Sequence, residues 1–129
     1  MKILAADGIS PEGIGLLTDY EVDVRDKISH EELLDVIGDY DALMVRSASK
    51  VTADVLERAG KLKIIGRAGV GVDNIDVKAA TERGIIVINS PGGNTIAATE
   101  HTMAMMLSLA RKIPAADATM HAGAWDRKA

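Results

Sequence analysis

Arg46-Ser47, the glycine run Gly66-Arg67-Ala68-Gly69-Val70-Gly71-Val72-Asp73 and the amide-ended turn Asn89-Ser90-Pro91-Gly92-Gly93-Asn94 are the residues of this chain best suited to chemistry. A guanidinium can grip a carboxylate or phosphate through two parallel hydrogen bonds, and a hydroxyl beside it adds a donor. Glycines let a ligand approach the main chain and aim successive backbone N–H groups at an anion. Together they describe a grip for a small anion. Each residue also has a plainer reading. Arg46 could form a surface salt bridge with Asp41, the glycines could only make a tight turn, and Asn94 could only cap a helix, with Thr95 its rival. Arg67 could serve the same anion or be solvated.

These residues share a place. Each follows a short apolar run, and the runs Lys2 to Ala6, Glu21 to Val24, Leu43 to Val45, Lys63 to Ile65 and Ile85 to Ile88 read as strands separated by helical patterns. Strand–helix alternation predicts an α/β parallel sheet of about five strands, flavodoxin-like or Rossmann-like, with helices on both faces. In such sheets ligands bind outside the carboxyl ends of the strands, where the cation, glycines and amides gather.

The helix boundaries are written in ordinary capping chemistry. Ser10-Pro11-Glu12 supplies a cap, a proline at the first helical position and an acid in the first turn. Ser29 and Glu32 have capping-box spacing, Gly38 is placed to end the following helix, and Thr52 or Asp54 can start the next. Asp76 caps a helix running to Arg83, which Gly84 stops. From Thr95 to Ile113 no turn signal interrupts an Ala-, Met- and Leu-rich stretch, which predicts one long helix. Its apolar residues spread too far around the axis for one sheet to cover, so the sharper reading is a helix between two bodies. Ala115 to Ala129 continues as a further helical segment. The domain division expected is 1–94 for the binding domain and 95–129 for the long helix and the connection beyond it.

Composition narrows the function further. A chain of 129 residues with net charge −4 and scattered Lys and Arg has no electrostatic footprint for nucleic acid or anionic lipid, so a small metabolite is the expected partner. Cysteine is absent, and His30, His101 and His121 follow no metal-ligand spacing, so no metal is expected. No secretory leader or membrane span is legible, which places the expected compartment in the cytoplasm. Gly66, Gly69 and Gly71 miss the dinucleotide spacing, because Asn74 stands where the third glycine should be. Glu100 and His101 are helix neighbours that diverge, not an acid–base pair. From the residues alone, the chain binds an anion and lacks the groups to transform it.

The segments Val45 to Thr52, Gly66 to Asp76, Asn89 to Asn94, Glu100-His101-Thr102, Arg111-Lys112-Ile113-Pro114 and Gly123 to Arg127 closely resemble the D-isomer-specific 2-hydroxyacid dehydrogenases. Within that family they resemble the branch that oxidises 3-phosphoglycerate with NAD on the way to serine. The resemblance runs from Met1 to the end but covers only the first part of the family chain. It implies the substrate-binding half of a homo-oligomeric enzyme, with NAD held mainly by a separate Rossmann domain. It implies substrate contacts from Arg46, Ser47 and Arg67, a Gly69-Val70-Gly71 cradle for the carboxylate, Asn94 on the rim, and Arg127 reaching a neighbouring subunit. Val70 matches the position that meets the nicotinamide end of NAD, where many relatives carry threonine. The family's catalytic arginine, glutamate and histidine fall in segments beyond this chain, and Glu100 and His101 are not among them. No residue here is therefore assigned a catalytic role, and the chain alone is expected to be inactive. Members that act on glycerate, hydroxypyruvate or D-lactate, and a stand-alone interaction module of the same fold, are the alternatives.

Overall fold

The computed structural model describes residues 1–125 and forms two compact units, one spanning Met1–Gly93 and the other beginning at Asn94. The first unit is a five-stranded parallel sheet of order β2-β1-β3-β4-β5. Its strands are β1 (Lys2–Ala6), β2 (Glu21–Arg25), β3 (Ala42–Val45), β4 (Ile64–Arg67) and β5 (Ile86–Asn89). Four helices join them: α1 (Pro11–Ile14), α2 (His30–Val36), α3 (Ala53–Arg58) and α4 (Val77–Glu82). This is the flavodoxin-like order, and the reversal between β1's two neighbours is the switch point at which such sheets bind ligands.

Side-chain alternation along the strands sorts the sheet into two faces. Leu4, Leu43, Val45 and Ile65 are fully buried with Leu33, Ile37, Val55, Leu56 and Ala80 of the connecting helices, and this is the main core. Right-handed crossovers put α2, α3 and α4 on that side, because β2 to β5 progress across the sheet in one direction, and α1 on the other, because β1 to β2 goes back. Within this unit, Ile86 and Ile88 of β5 point to the sparsely covered face and stay exposed.

Several caps form as read, while Thr52 stands at the start of α3 without a side-chain cap bond. Ser10 accepts from the Gly13 amide at 3.2 Å, Ser29 and Glu32 complete a capping box, and Asp76 accepts from the Ala79 amide at 2.9 Å. Gly84 ends α4 with φ of 70°, the left-handed value that suits glycine. Gly38 does not act as such a cap. It sits within a short 3₁₀ turn, Ile37–Asp39, and a Cβ there would lie 3.0 Å from the Arg58 carbonyl oxygen, so close approach of α3 is what requires glycine.

The second unit has the long helix and the further helical segment expected, but the first ends earlier, at Ala110 instead of Ile113. It contains α5 (Thr95–Ala110) and α6 (Ile113–His121), separated by Lys112 in the left-handed conformation with φ of 53°. Pro114 starts a helix here instead of merely stopping one, since its fixed φ suits a first turn and its missing N–H costs nothing there. Two helices alone cannot enclose a core, and neither contains a buried residue. Among the described residues no helix is long and apolar enough to cross a membrane.

One polar link ties the starts of α2 and α3. Asp54 accepts from the Thr52 hydroxyl and pairs with His30 Nε2 at 2.9 Å, and these contacts, the Thr52 bond foremost, hold its carboxyl down at about 2 against an ordinary 3.8. A depressed carboxyl contributes stability above its unfolded pKa and loses it as pH falls toward the folded one. We expect Asp54→Asn to melt below the parent at pH 6 and the gap to close between about pH 4 and pH 2, as followed by circular dichroism. A gap unchanged at pH 2 would contradict this role.

Candidate functional site

The carboxyl ends of β3, β4 and β5 carry the residues singled out from the sequence, and loop-to-loop hydrogen bonds bind these ends and that of β1 into one rim. Beyond the end of a strand the ladder no longer satisfies backbone polar groups, so side chains must do so. Three do. Asp7, just past β1, accepts from the Arg46 amide at 2.9 Å, the Ser49 amide at 2.9 Å and Ser49 Oγ at 2.6 Å. Asn74 Nδ2 donates to the Arg46 carbonyl at 2.9 Å and the Ser49 carbonyl at 2.6 Å. Arg67 Nε donates to the same Arg46 carbonyl at 3.3 Å while its Nη1 donates to the Gly71 carbonyl. Val51 and Ile75 form an isolated parallel bridge that zips the two loops together below this point.

Arg46 is the outcome of that arrangement. Both its N–H and its carbonyl are held by side chains from other elements, yet among the described residues no ion pair or hydrogen bond engages its guanidinium. The alternative partner Asp41 is spent elsewhere: it accepts from the Lys2 amide at 2.8 Å and pairs with Lys63 at 3.6 Å, and the Lys2 bond holds its carboxyl below the usual range. An exposed guanidinium on a pinned backbone is a preorganised anion grip. Ser47 stands beside it, also exposed.

Arg67 is different. Its side chain is only 12% exposed, lies against Gly69 and Gly71, and pairs with Asp73 at 3.5 Å. A Cβ at Gly69 would come within 3.1 Å of Arg67 Nη1, which is why a glycine suits this turn. Its donors serve the loop, so the structure places it behind the rim, holding the turn.

In the turn itself, the carbonyls are tied to the protein. Gly69 O accepts from the Ser90 amide at 2.9 Å, Val70 O from Asn89 Nδ2 at 2.5 Å and Gly71 O from Arg67. The amides of Val70 and Gly71 have no hydrogen-bond partner among the described residues. Two adjacent free N–H groups, with the carbonyls turned to the protein, are what a carboxylate requires. Because one guanidinium, Arg67, spans from the Arg46 carbonyl to the Gly71 carbonyl, the two anion-binding groups are neighbours.

Two further residues belong to the expected site. Asn94 opens the second unit as the residue before α5, with no side-chain cap bond. Arg127 lies outside the described residues. His30 sits at the start of α2, where it pairs with Asp54, and His101 lies within α5; among the described residues no group of His, Asp or Glu could hold a metal.

Comparison with known proteins settles the relationship. The profile of the D-isomer specific 2-hydroxyacid dehydrogenase catalytic domain matches residues 3–124. The chain belongs to that family. It is 54% identical to D-3-phosphoglycerate dehydrogenase of Archaeoglobus fulgidus over 99% of this chain and 25% of the relative. Identity to the human D-3-phosphoglycerate dehydrogenase is 48%, over 98% of this chain and 24% of that protein. The chain thus spans about a quarter of the length of the curated relatives it matches. The TT0316 protein of Thermus thermophilus superposes with a TM-score of 0.88 at 30% identity, over 99% of this chain and 43% of that one. An NAD+-bound 3-phosphoglycerate dehydrogenase of Entamoeba histolytica gives 0.73 at 30% identity, over 84% of this chain and 38% of that one.

Solved relatives include an NAD+-bound 3-phosphoglycerate dehydrogenase. Here the helix after the glycine turn, α4, starts with the Asp76 carboxylate already on the Ala79 amide, so the end of that helix is capped by the protein's own side chain.

The positioning residues Asp7 and Asn74 were not among those the sequence singled out. Asn74 gives the sharper test, since its amide is the only donor shared by the Arg46 and Ser49 carbonyls among the described residues, and its Oδ1 is buried with no partner among them. Asn74→Ala should cost about 1–3 kcal/mol in urea unfolding, the penalty for stranding hydrogen-bonding groups. Asn74→Asp at pH 7 should cost more, because it sets a carboxylate against two carbonyl oxygens. Equal stability of the two variants would refute this.

Proposed function

We propose that this chain is the substrate-binding part of an NAD-dependent D-3-phosphoglycerate dehydrogenase. The observation that carries it is the pairing of a free, pinned guanidinium at Arg46 with two free amides at Val70 and Gly71, joined through Arg67. One such group suits phosphate and the other carboxylate, so the rim is complementary to a small metabolite charged at both ends. The 54% identity to a D-3-phosphoglycerate dehydrogenase supports 3-phosphoglycerate as that metabolite. Arg46 and Ser47 take the phosphate, the Gly69–Gly71 turn takes the carboxylate, and Arg67 supports both from behind. Asn94 and Arg127 complete the substrate contacts in the assembled enzyme, and Val70 borders the nicotinamide.

Under this reading the chain's own residues bind and orient. They fix the substrate at both ends and thereby set which face of the carbon bearing the hydroxyl is presented, a positioning contribution that can lower a barrier by several kcal/mol. NAD supplies a hydride acceptor, held by the part of the relatives that this chain does not span. The second unit, from Asn94, is the connection toward that part, and the full-length protein is a cytoplasmic homo-oligomer. The chain alone turns over no substrate.

Titration of the ¹⁵N-labelled chain with 3-phosphoglycerate tests this directly. We expect shifts at the Val70 and Gly71 amides and at Arg46, with glycerate and D-lactate binding more weakly. Arg46→Ala should weaken 3-phosphoglycerate about 10–100-fold, from the loss of one or two charge-assisted hydrogen bonds. Glycerate competing as well as 3-phosphoglycerate, or binding unaffected by Arg46→Ala, would overturn the phosphate assignment. Hydride transfer by the purified chain would overturn the division of labour.

A further inference from the structure

β1 ends in two consecutive left-handed residues, Asp7 with φ of 64° and Gly8 with φ of 66°. Glycine accepts that conformation freely, but a residue with a Cβ is strained in it, and Asp and Asn are the side-chain-bearing residues that best tolerate it. Strain of this kind persists where the surroundings impose it and collects at functional positions. At Asp7 the surroundings are one loop. Oδ2 takes the amides of Arg46 and Ser49, and Oδ1 takes Ser49 Oγ. These bonds span 39 and 42 residues of sequence, and they engage both carboxylate oxygens. Ser49 is 6% exposed, the one buried polar or charged residue among the described residues apart from the core's own Tyr40, so its hydroxyl has been taken out of water to meet this carboxylate.

The placement is electrostatically perverse if the rim binds an anion. A carboxylate bonded to the backbone of the gripping arginine repels what that arginine attracts. Its negative charge is answered by two N–H groups and a hydroxyl, which spend the field locally on holding the loop. We propose that Asp7 is the positioning residue of the anion grip: it fixes the backbone from Arg46 to Ser49, and substrate affinity depends on it although it touches no substrate. Asn74 and Arg67 hold the carbonyl side of the same loop, so Arg46 is clamped from both sides. This deepens the reading given under Proposed function and rests on it.

The two roles open to Asp7 predict opposite signs. A carboxylate that is merely near the site weakens anion binding, so its removal tightens it. A carboxylate that positions the grip strengthens binding, so its removal loosens it. Asp7→Gly keeps the left-handed backbone accessible and deletes both acceptor oxygens, while Asp7→Asn keeps the backbone and one acceptor. Both are made in the full chain, alongside Arg46→Ala. The probe is 3-phosphoglycerate, read by NMR titration together with hydrogen exchange of the Arg46 and Ser49 amides and a thermal melt.

We expect Asp7→Gly to weaken 3-phosphoglycerate at least tenfold and Asp7→Asn by less. Exchange at Arg46 and Ser49 should quicken tenfold or more, while the amides of β3 and β4 stay protected. Affinity unchanged or raised in both variants, while Arg46→Ala still loses binding, would overturn the positioning role and leave the proposed function standing. Absence of binding by the parent chain would defeat the proposed function itself, and the exchange rates then decide alone whether Asp7 holds the loop. Exchange at Arg46 and Ser49 unaltered in both variants overturns the inference whatever the ligand does. Should Asp7→Gly lose its cooperative melt, Asp7→Asn decides by the same sign.

Discussion

Arg67 ends β4 with its guanidinium turned against its own loop, and the two halves of the binding rim meet on it. Through Nε it reaches the carbonyl of Arg46 on the β3 loop, and through Nη1 the carbonyl of Gly71 on the β4 loop. A planar group with fixed donor directions enforces a distance between what it joins, which a flexible ammonium would not. The spacing between the Arg46 loop and the glycine turn, the two parts of the proposed anion site, is therefore set by one rigid fork. Glycine at positions 69 and 71 leaves room for that fork to lie flat against the turn.

A parallel sheet makes such bracing necessary. Its interior strands satisfy one another, but every loop leaving the carboxyl edge carries polar groups with no ladder to join. Here those groups are met by side chains from distant loops, Asp7, Asn74, Asn89 and Arg67, in place of water. Groups so paired hold still, and the groups left over are the ones that can recognise a ligand. Arg46 and the amides of Val70 and Gly71 stand out because so much around them is already committed. Behind them, the fully buried Leu4, Leu43 and Ile65 supply a packed floor from which the loops spring.

What the sequence disclosed, and what it hid, follows the range of the interactions. Strands announced by apolar runs and helices announced by Ser10, Ser29 and Asp76 are local, and the structure places them within about two residues of the reading. The carboxyl-edge location of Arg46 and the glycine turn was legible for the same reason. Gly38 looked like a helix stop, but its cause is the Arg58 carbonyl from the next helix, a contact no local pattern announces. Lys112 was hidden because a left-handed lysine has no compositional signature, and Pro114 reads equally as an end or a beginning. Asp7 was hidden because its partners lie 39 and 42 residues away, beyond any local pattern. An Asp-Gly pair at a strand's carboxyl end, on the rim that already held the cation and glycines, was the signal available for it.

The placement of β5 at the margin of the sheet has a practical side. It is an outermost strand, its unpaired main-chain groups lie along one side, and Ile86 and Ile88 stand bare on one surface. Apolar residues beside an unfinished row of hydrogen-bonding groups form a template onto which a further strand can dock, in this chain or in another copy. The same strand ends in Asn89 and runs on into Ser90, which bond the Val70 and Gly69 carbonyls, so any load on this margin reaches the glycine turn through two hydrogen bonds.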